Sequence, residues 1–195
     1  MFHPNRTVGP FSNEGIAMST KQHTVFEGLP IAAGVWLVDP GAGHLRFRVK
    51  SMWGLMPVNG RLASYRGQLA IDEAGVATGE LVAEAESLDT KNAKRDEHLR
   101  SADFFNVREH PTIRFSVAAV TARPDGLTIA GDLEVGAGVA RLQLPVTLTR
   151  LAEDRLRVQA STSVSRETVG LTWNRAGMIR GDALLNVELD LIQVP

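Results

Sequence analysis

Residues 89–115, DTKNAKRDEHLRSADFFNVREHPTIRF, break the pattern of the chain around them. On either side apolar and polar residues alternate, whereas here a dense run of mixed charge ends abruptly in Phe104 and Phe105. Asp89 and Thr90 suit an N-cap, the residues from Asn92 to Ala102 include helix formers, and Asp96 with Arg100 is an i, i+4 pair of the favourable sense. The stretch is therefore predicted to hold the one substantial helix of the chain. Its charges cancel: Lys91, Lys94, Arg95 and Arg100 oppose Asp89, Asp96, Glu97 and Asp103. A phosphate grip wants a net positive field or a glycine-rich loop of free amides, so that role is disfavoured. Leu99, Ala102 and the two phenylalanines supply an apolar underside, which suits a lid over an apolar interior.

Outside this stretch, from Val35 onward, the hydrophobic period is two. In HLRFRVK, Leu45, Phe47 and Val49 fall on one face and His44, Arg46, Arg48 and Lys50 on the other, which is a strand with one dry and one wet side. The alternation recurs at Leu69 and Ile71, at Leu81, Ala83 and Ala85, at Ile113, Phe115 and Val117, and at Leu127 and Ile129. It returns at Leu142, Leu144, Val146 and Leu148, at Leu156, Val158 and Ala160, and at Leu185, Val187, Leu189 and Leu191. About eight strands follow from this count. The turn sequences between them, DEAG (72–75), RPDG (123–126), GAG (136–138) and AED (152–154), supply positive or fixed φ and Asx-type bonding. Such short connections imply antiparallel neighbours. A sheet of this kind must dispose of its edges as a sandwich or a closed barrel, and periodicity does not choose between them. Pro145 cannot donate a ladder hydrogen bond, so its strand is expected to be bulged or unpaired there.

Composition narrows the function classes. The 195 residues suit one domain, and 44% hydrophobic residues allow a sizeable core. Lys and Arg total 21 against 22 Asp and Glu, a net charge of −1, so the whole-chain balance argues against nucleic acid or an anionic membrane as the main partner. The absence of cysteine removes disulfides, thiolate metal sites and cysteine nucleophiles. The apolar run LPIAAGVWLV (29–38) is too short to span a bilayer, and Glu27 before it and Asp39 after it do not fit a secretory signal. The expectation is a cytoplasmic protein. Residues 1–34, polar and rich in Gly and Pro, read as an irregular arm outside the fold, with Met18 as a candidate start; the domain proper is 35–195.

Asp96 and His98 invite a catalytic reading as an acid beside an imidazole. Residues two apart on a helix face different directions, and no third orienting group is marked out nearby, so a structural role is the stronger expectation. His3, His23, His44, His98 and His110 show no ligand spacing, and neither a metal nor another cofactor is expected.

The order of these segments resembles the YceI-like family of lipid-binding proteins over nearly the whole span from Val35 to Pro195. The middle piece carries most of the resemblance: Asp89, Thr90, Asn92, Arg95, Asp96, His98, Leu99, Arg100, Phe104, Phe105, Pro111, Ile113 and Phe115 match the family's helix-and-strand signature. Asp39, His44, Phe47 and Gly60 are similar to its opening strands, and Gly34-Val35-Trp36 is similar to the lipocalin Gly-x-Trp opening. One departure is Val169 ahead of Gly170, where the family often has an aromatic residue.

The resemblance implies a lipocalin-like, eight-stranded antiparallel β-barrel with a short helical segment beside it, an all-β fold whose interior holds a polyisoprenoid or another long-chain amphiphile. Small inward residues, Ala83, Ala85, Ala119 and Ala160, would leave room inside such a barrel, unless they sit where strands crowd. The expected lining is Phe47, Val49, Trp53, Met56, Phe104, Phe115, Leu144, Val146 and Leu189, with Trp173 and Met178 near a mouth. For each of these, ordinary core packing is the plain alternative. Arg95, His98, Arg100 and Arg166 are head-group candidates, weighed against simple surface solvation. The expected function is non-enzymatic: binding, and carrying or storing, a polyisoprenoid or similar long-chain apolar amphiphile, by one copy or a homodimer. The alternatives are an enzyme for an apolar substrate using Asp96 and His98, and a ligandless interaction protein with a side-chain-filled barrel.

Overall fold

The computed structural model describes residues 31–51, 55–124, 126–174 and 177–194. Its strands are β1 (Gly34–Ser51), β2 (Met56–Leu62), β3 (Tyr65–Ile71), β4 (Ala77–Glu84), β5 (Leu88–Asp89), β6 (Thr112–Arg123), β7 (Gly126–Val135), β8 (Gly138–Ala152), β9 (Arg155–Val164) and β10 (Arg180–Val194). One helix, α1 (Ala93–Arg100), lies between β5 and β6.

All pairings are antiparallel, and the order β1-β3-β4-β6-β7-β8-β9-β10 returns to β1, so eight strands close a barrel. These eight are the strands marked by alternation in the sequence. The edge problem of an open sheet is thereby removed, and the choice that periodicity left open falls to the barrel. β2 and β5 lie beside the ring. β1 is long enough to serve two neighbours: Gly34 to Leu37 pair with β3, and Leu45 to Ser51 pair with β2. In β2, Pro57, Asn59 and Gly60 read as turn residues in the sequence, which hid the strand.

The stretch 85–89 bridges the end of β2 and the start of β6. Ala85 N–H donates to the Pro111 carbonyl, Ala63 N–H donates to the Ser87 carbonyl, and β5 pairs with β2. The odd stretch of the sequence thus begins in this bridge and continues into the helix beside one end of the barrel.

Its local structure corrects two expectations. The helix is capped by Asn92, whose side chain accepts from Arg95 N–H; Asp89 and Thr90 precede it. The Asp96–Arg100 pair does not form. Asp96, 6% exposed, accepts from the backbone N–H and the hydroxyl of Thr90, while Arg100 donates to the Glu86 and Leu88 carbonyls. Buried polar groups take the partners that leave nothing unsatisfied, and tertiary carbonyls outcompete a solvent-exposed helix pair.

Of four register irregularities in the described ladders, at Val38/Gly43, Arg48/Lys50, Val117/Ala119 and Arg150/Ala152, two set which residues face inward. Between Val38 and Gly43, residues 39–42 of β1 stand against Asp190 alone on β10. A second irregularity between Val117 and Ala119 reverses the alternation in β6, so Val120 joins the buried core and Ala119 is not among the interior residues. A strand of period two flips faces with each inserted residue.

At Pro145 the β7–β8 register runs through unbroken, but the β8–β9 ladder begins only at Val146. The missing donor is thus tolerated where the strand has lost one neighbour. Val169 packs beside the start of the same strand: its backbone lies so close to Gly138 that a Cβ there would collide with it.

The core at one end of the barrel gathers Trp36, Ile71, Ala77, Val120, Leu127, Val146, Leu156 and Leu191, with Trp36 fully buried. Ile31 packs against this cluster, and the Ala32 and Ala33 carbonyls accept from Trp36 Nε1 and Gln193 Nε2. The last residues of the expected arm are therefore tied to the barrel; residues 1–30 lie outside the described chain.

Candidate functional site

Above the Trp36 cluster the barrel encloses a cavity of ≈460 Å³. Its walls are inward residues of the ring strands, among them Leu69, Leu81, Phe115, Leu144 and Val158, with Leu185, Val187 and Leu189 contributed by β10. The lining is overwhelmingly apolar; polar residues border it at Arg46, Ser51, Gln68, Glu80, Arg95, His98, Thr162 and Arg166.

Two rings lie flat because of glycines on the neighbouring strand. Gly60 pairs with Phe47 across β1 and β2, and a Cβ at Gly60 would collide with the Phe47 ring. A Cβ at Gly131 of β7, the diagonal neighbour of Phe115, would likewise collide with the Phe115 ring. Each glycine lets an aromatic side chain lie along the wall instead of projecting into the lumen, the close approach for which a missing Cβ is suited.

The signature stretch builds one end of the cavity. Arg95 Nε donates to the Thr90 hydroxyl and its Nη2 to the Thr90 carbonyl, at 2.7 Å each, which braces α1 against β5. From this brace Leu99, Phe104 and Phe105 reach the lining. His98 contacts two rings edge-on, with centroids 5.1 Å from Phe104 and 4.8 Å from Trp173, and its Nε2 lies 3.2 Å from Asp103. The His98 side chain lines the cavity yet is 43% exposed, so this cluster is a rim where the lumen meets solvent.

Of the residues expected from sequence, Phe47, Val49, Phe104, Phe115, Leu144, Val146, Leu189, Trp173 and Met178 line the cavity, as do Arg95, His98 and Arg166. Met56 does not: it pairs with Ser51 at the end of the β1–β2 hairpin and is 56% exposed. Arg100 is turned to the backbone carbonyls of the 85–89 bridge. Trp53 lies outside the described residues. Of the small residues, Ala83 and Ala160 line the cavity, whereas Ala85 is buried in the bridge and Ala119 has been turned away by the bulge. Leu171 and Ile179 also line it and escape a sequence reading, because the loop after β9 has no period to follow. Asp96 and His98 are not brought together: Asp96 is held by Thr90, and His98 faces Asp103.

The strongest electrostatic cluster lies in the wall, at the β1 bulge. Asp190, 2% exposed, accepts from Arg157 Nε at 2.7 Å and from Arg155 at 3.2 Å, and Arg155 also reaches Asp39 at 2.7 Å. The Arg157 hydrogen bond, against the opposing effect of burial, holds the Asp190 carboxyl below its ordinary value. Burial raises the Tyr65 phenol, and the Asp39 and Asp190 carboxylates add to that. This cluster neutralises charge that the bulge would otherwise leave buried and alone.

A closed antiparallel barrel of eight strands around an apolar cavity, plugged at one end and rimmed by a helix at the other, has a lipocalin-like architecture. The chain belongs to the YceI-like family: the family model for the YceI-like domain matches residues 36–191. A UPF0312 protein of Shewanella denitrificans is 30% identical over 176 residues, 84% of this chain and 89% of the relative. UPF0312 proteins of Pseudomonas aeruginosa are 35% identical over 120 residues, and the match spans only 60% of their length and 60% of this chain. Among solved structures, BcnA of Burkholderia cenocepacia superposes with a TM-score of 0.70 at 14% identity, covering 78% of this chain and 98% of that one. A polyisoprenoid binding domain from Saccharophagus degradans superposes with a TM-score of 0.65 at 16% identity, covering 82% and 98%. At these identities the likeness is one of fold.

Proposed function

We propose that the protein binds, and carries or stores, a polyisoprenoid or similar long-chain apolar amphiphile inside the barrel. The observation that supports this most is the ≈460 Å³ apolar cavity, in the range of small-molecule sites. It is about three times the roughly 150 Å³ apolar cavity that takes up benzene, room for about 18 carbons or some three to four isoprene units. Each buried methylene contributes about 0.8 kcal/mol, so a few units bind tightly before ordering costs are counted. The polyisoprenoid-binding description of the Saccharophagus degradans domain agrees with this reading.

The polar end of the ligand belongs at the rim, where Arg95, His98 and Arg166 interrupt the apolar lining. The Phe104 and Trp173 rings beside His98 offer an amphipathic edge for the junction of chain and head group.

Organic extraction of natively purified protein, followed by mass spectrometry, is expected to return a long-chain lipid near one equivalent. Delipidated protein is expected to take up a long-chain fluorescent probe. Repeated recovery of no stoichiometric lipid together with no probe uptake sinks the proposal.

A further inference from the structure

The whole-chain charge of −1 conceals a local concentration of cations on the outside of the barrel. Arg46, Arg48 and Lys50 alternate with the inward side chains Leu45, Phe47 and Val49 along β1 and all three are exposed; Arg46 also borders the cavity. Register places exposed Arg180 of β10 opposite Lys50, and Arg61 of β2 opposite Arg46. Like charges directly opposite on neighbouring strands are destabilising.

The nearby carboxylates do not relieve this. Asp89 is engaged by Arg61 and Lys91, Glu188 by Gln159 and Arg157, and Asp182 accepts from the Ser163 hydroxyl. Arg46, Arg48, Lys50 and Arg180 make no ion pair among the described residues. Of other exposed arginines, Arg66 and Arg141 have carboxylate partners within 3.1 Å, and Arg123 donates to the Thr128 hydroxyl.

Large apolar side chains accompany these cations. At the hairpin end of β1 and β2, Leu55 is 82% exposed and Met56 56% exposed; Leu184, paired with Arg48, is 45% exposed. An exposed apolar tip flanked by unpaired cations matches the interface of an anionic bilayer, where apolar groups enter the headgroup boundary and basic groups meet lipid phosphates. A nucleic acid would satisfy the charges but leave the tip in water. The same end of the barrel carries the rim: Ser51, Val58 and Met178 line the cavity there, whereas the opposite end is closed by the Trp36 cluster.

We propose that the outer face of β2, β1 and β10, led by the Leu55–Met56 hairpin end, docks the protein on an anionic lipid bilayer. The docked orientation presents the rim to the membrane, so a chain can pass between bilayer and cavity without crossing water. This last step rests on the proposed lipid-binding function; the docking itself does not.

The test is co-sedimentation of the full chain with vesicles of pure phosphatidylcholine and with vesicles containing about one-third phosphatidylglycerol. Stronger binding to the anionic vesicles, weakened by salt, is expected. Replacing Arg48, Lys50 and Arg180 together by glutamine is expected to weaken that binding about a hundredfold, at about fivefold for each cation near the surface. Leu55→Ser is expected to weaken binding to anionic vesicles at every salt concentration. Lys50→Gln alone, which relieves its opposition to Arg180, is expected to keep or raise the melting temperature while binding falls, separating docking from folding.

Equal binding to both vesicle types, no response to the triple replacement, or no response to Leu55→Ser overturns the proposal. So does retention of duplex DNA as strong as that of anionic vesicles. A protein that docks on vesicles yet takes up no lipid probe would refute the proposed ligand and leave the docking surface standing.

Discussion

The ring of Phe47 lies directly over Gly60, its cross-strand partner, in the space that a side chain at position 60 would fill. The Phe115 ring likewise fills the space beside Gly131, its diagonal neighbour on β7, so two aromatic rings line the lumen without obstructing it. Gly60→Ala and Gly131→Ala are each expected to destabilise the barrel by about 1–3 kcal/mol, the usual cost of overpacking. They are also expected to reduce ligand uptake by turning a ring inward. Denaturant unfolding and titration with a long-chain probe check the two effects.

Ala160 lines the cavity where it borders the Trp36 cluster. Ala160→Phe is expected to abolish uptake of a long-chain probe while changing stability by less than about 1.5 kcal/mol, because the added ring enters the cavity rather than a packed core. Unchanged uptake in a variant with native circular dichroism would show that ligand sits elsewhere.

Gly138, at the start of β8, meets the Val169 segment backbone to backbone. Gly138→Ala forces that segment outward, and a loss of about 2–3 kcal/mol is expected. Hydrogen exchange should locate the loosening in residues 165–171. A variant as stable as the parent, with unaltered exchange, contradicts this account.

The bulge cluster makes a prediction about acid. The Asp190 carboxyl is held below its ordinary value in the folded protein, so its contribution is complete above the unfolded value, about 4, and is lost as pH falls through the folded one. Asp89, lowered to about 2 by Lys91 and Arg61, acts in the same direction between about pH 4 and 2. Stability is therefore expected to fall steeply below about pH 4. Asp190→Asn is expected to flatten part of that fall and to cost about 2–3 kcal/mol at about pH 7, less than a fully buried pair because Arg155 and Arg157 retain about a third of their exposure. Urea unfolding across the acid range up to neutrality measures both.

Local chemistry made much of this readable in the sequence. The eight alternating segments became the eight ring strands, and the signature stretch became the helix that rims one end, with the bridge beside it. Two features escaped it for physical reasons: β2 was hidden by Pro57, Asn59 and Gly60, and the lining residues Leu171 and Ile179 sit in a loop without a period.

The amino-acid sequence by itself determined the antiparallel strands, the position of the helical stretch and the family, because alternation, turn chemistry and a residue signature act over neighbours in the chain. Alternation left closure open and the family resemblance implied it, as the β10–β1 pairing bears out; only the tertiary structure decided that Ala119 faces away from the lumen and that Met56 and Arg100 leave the cavity to other residues. Closure, register and bulges depend on contacts between residues far apart in sequence, and a single inserted residue reverses every side chain that follows it.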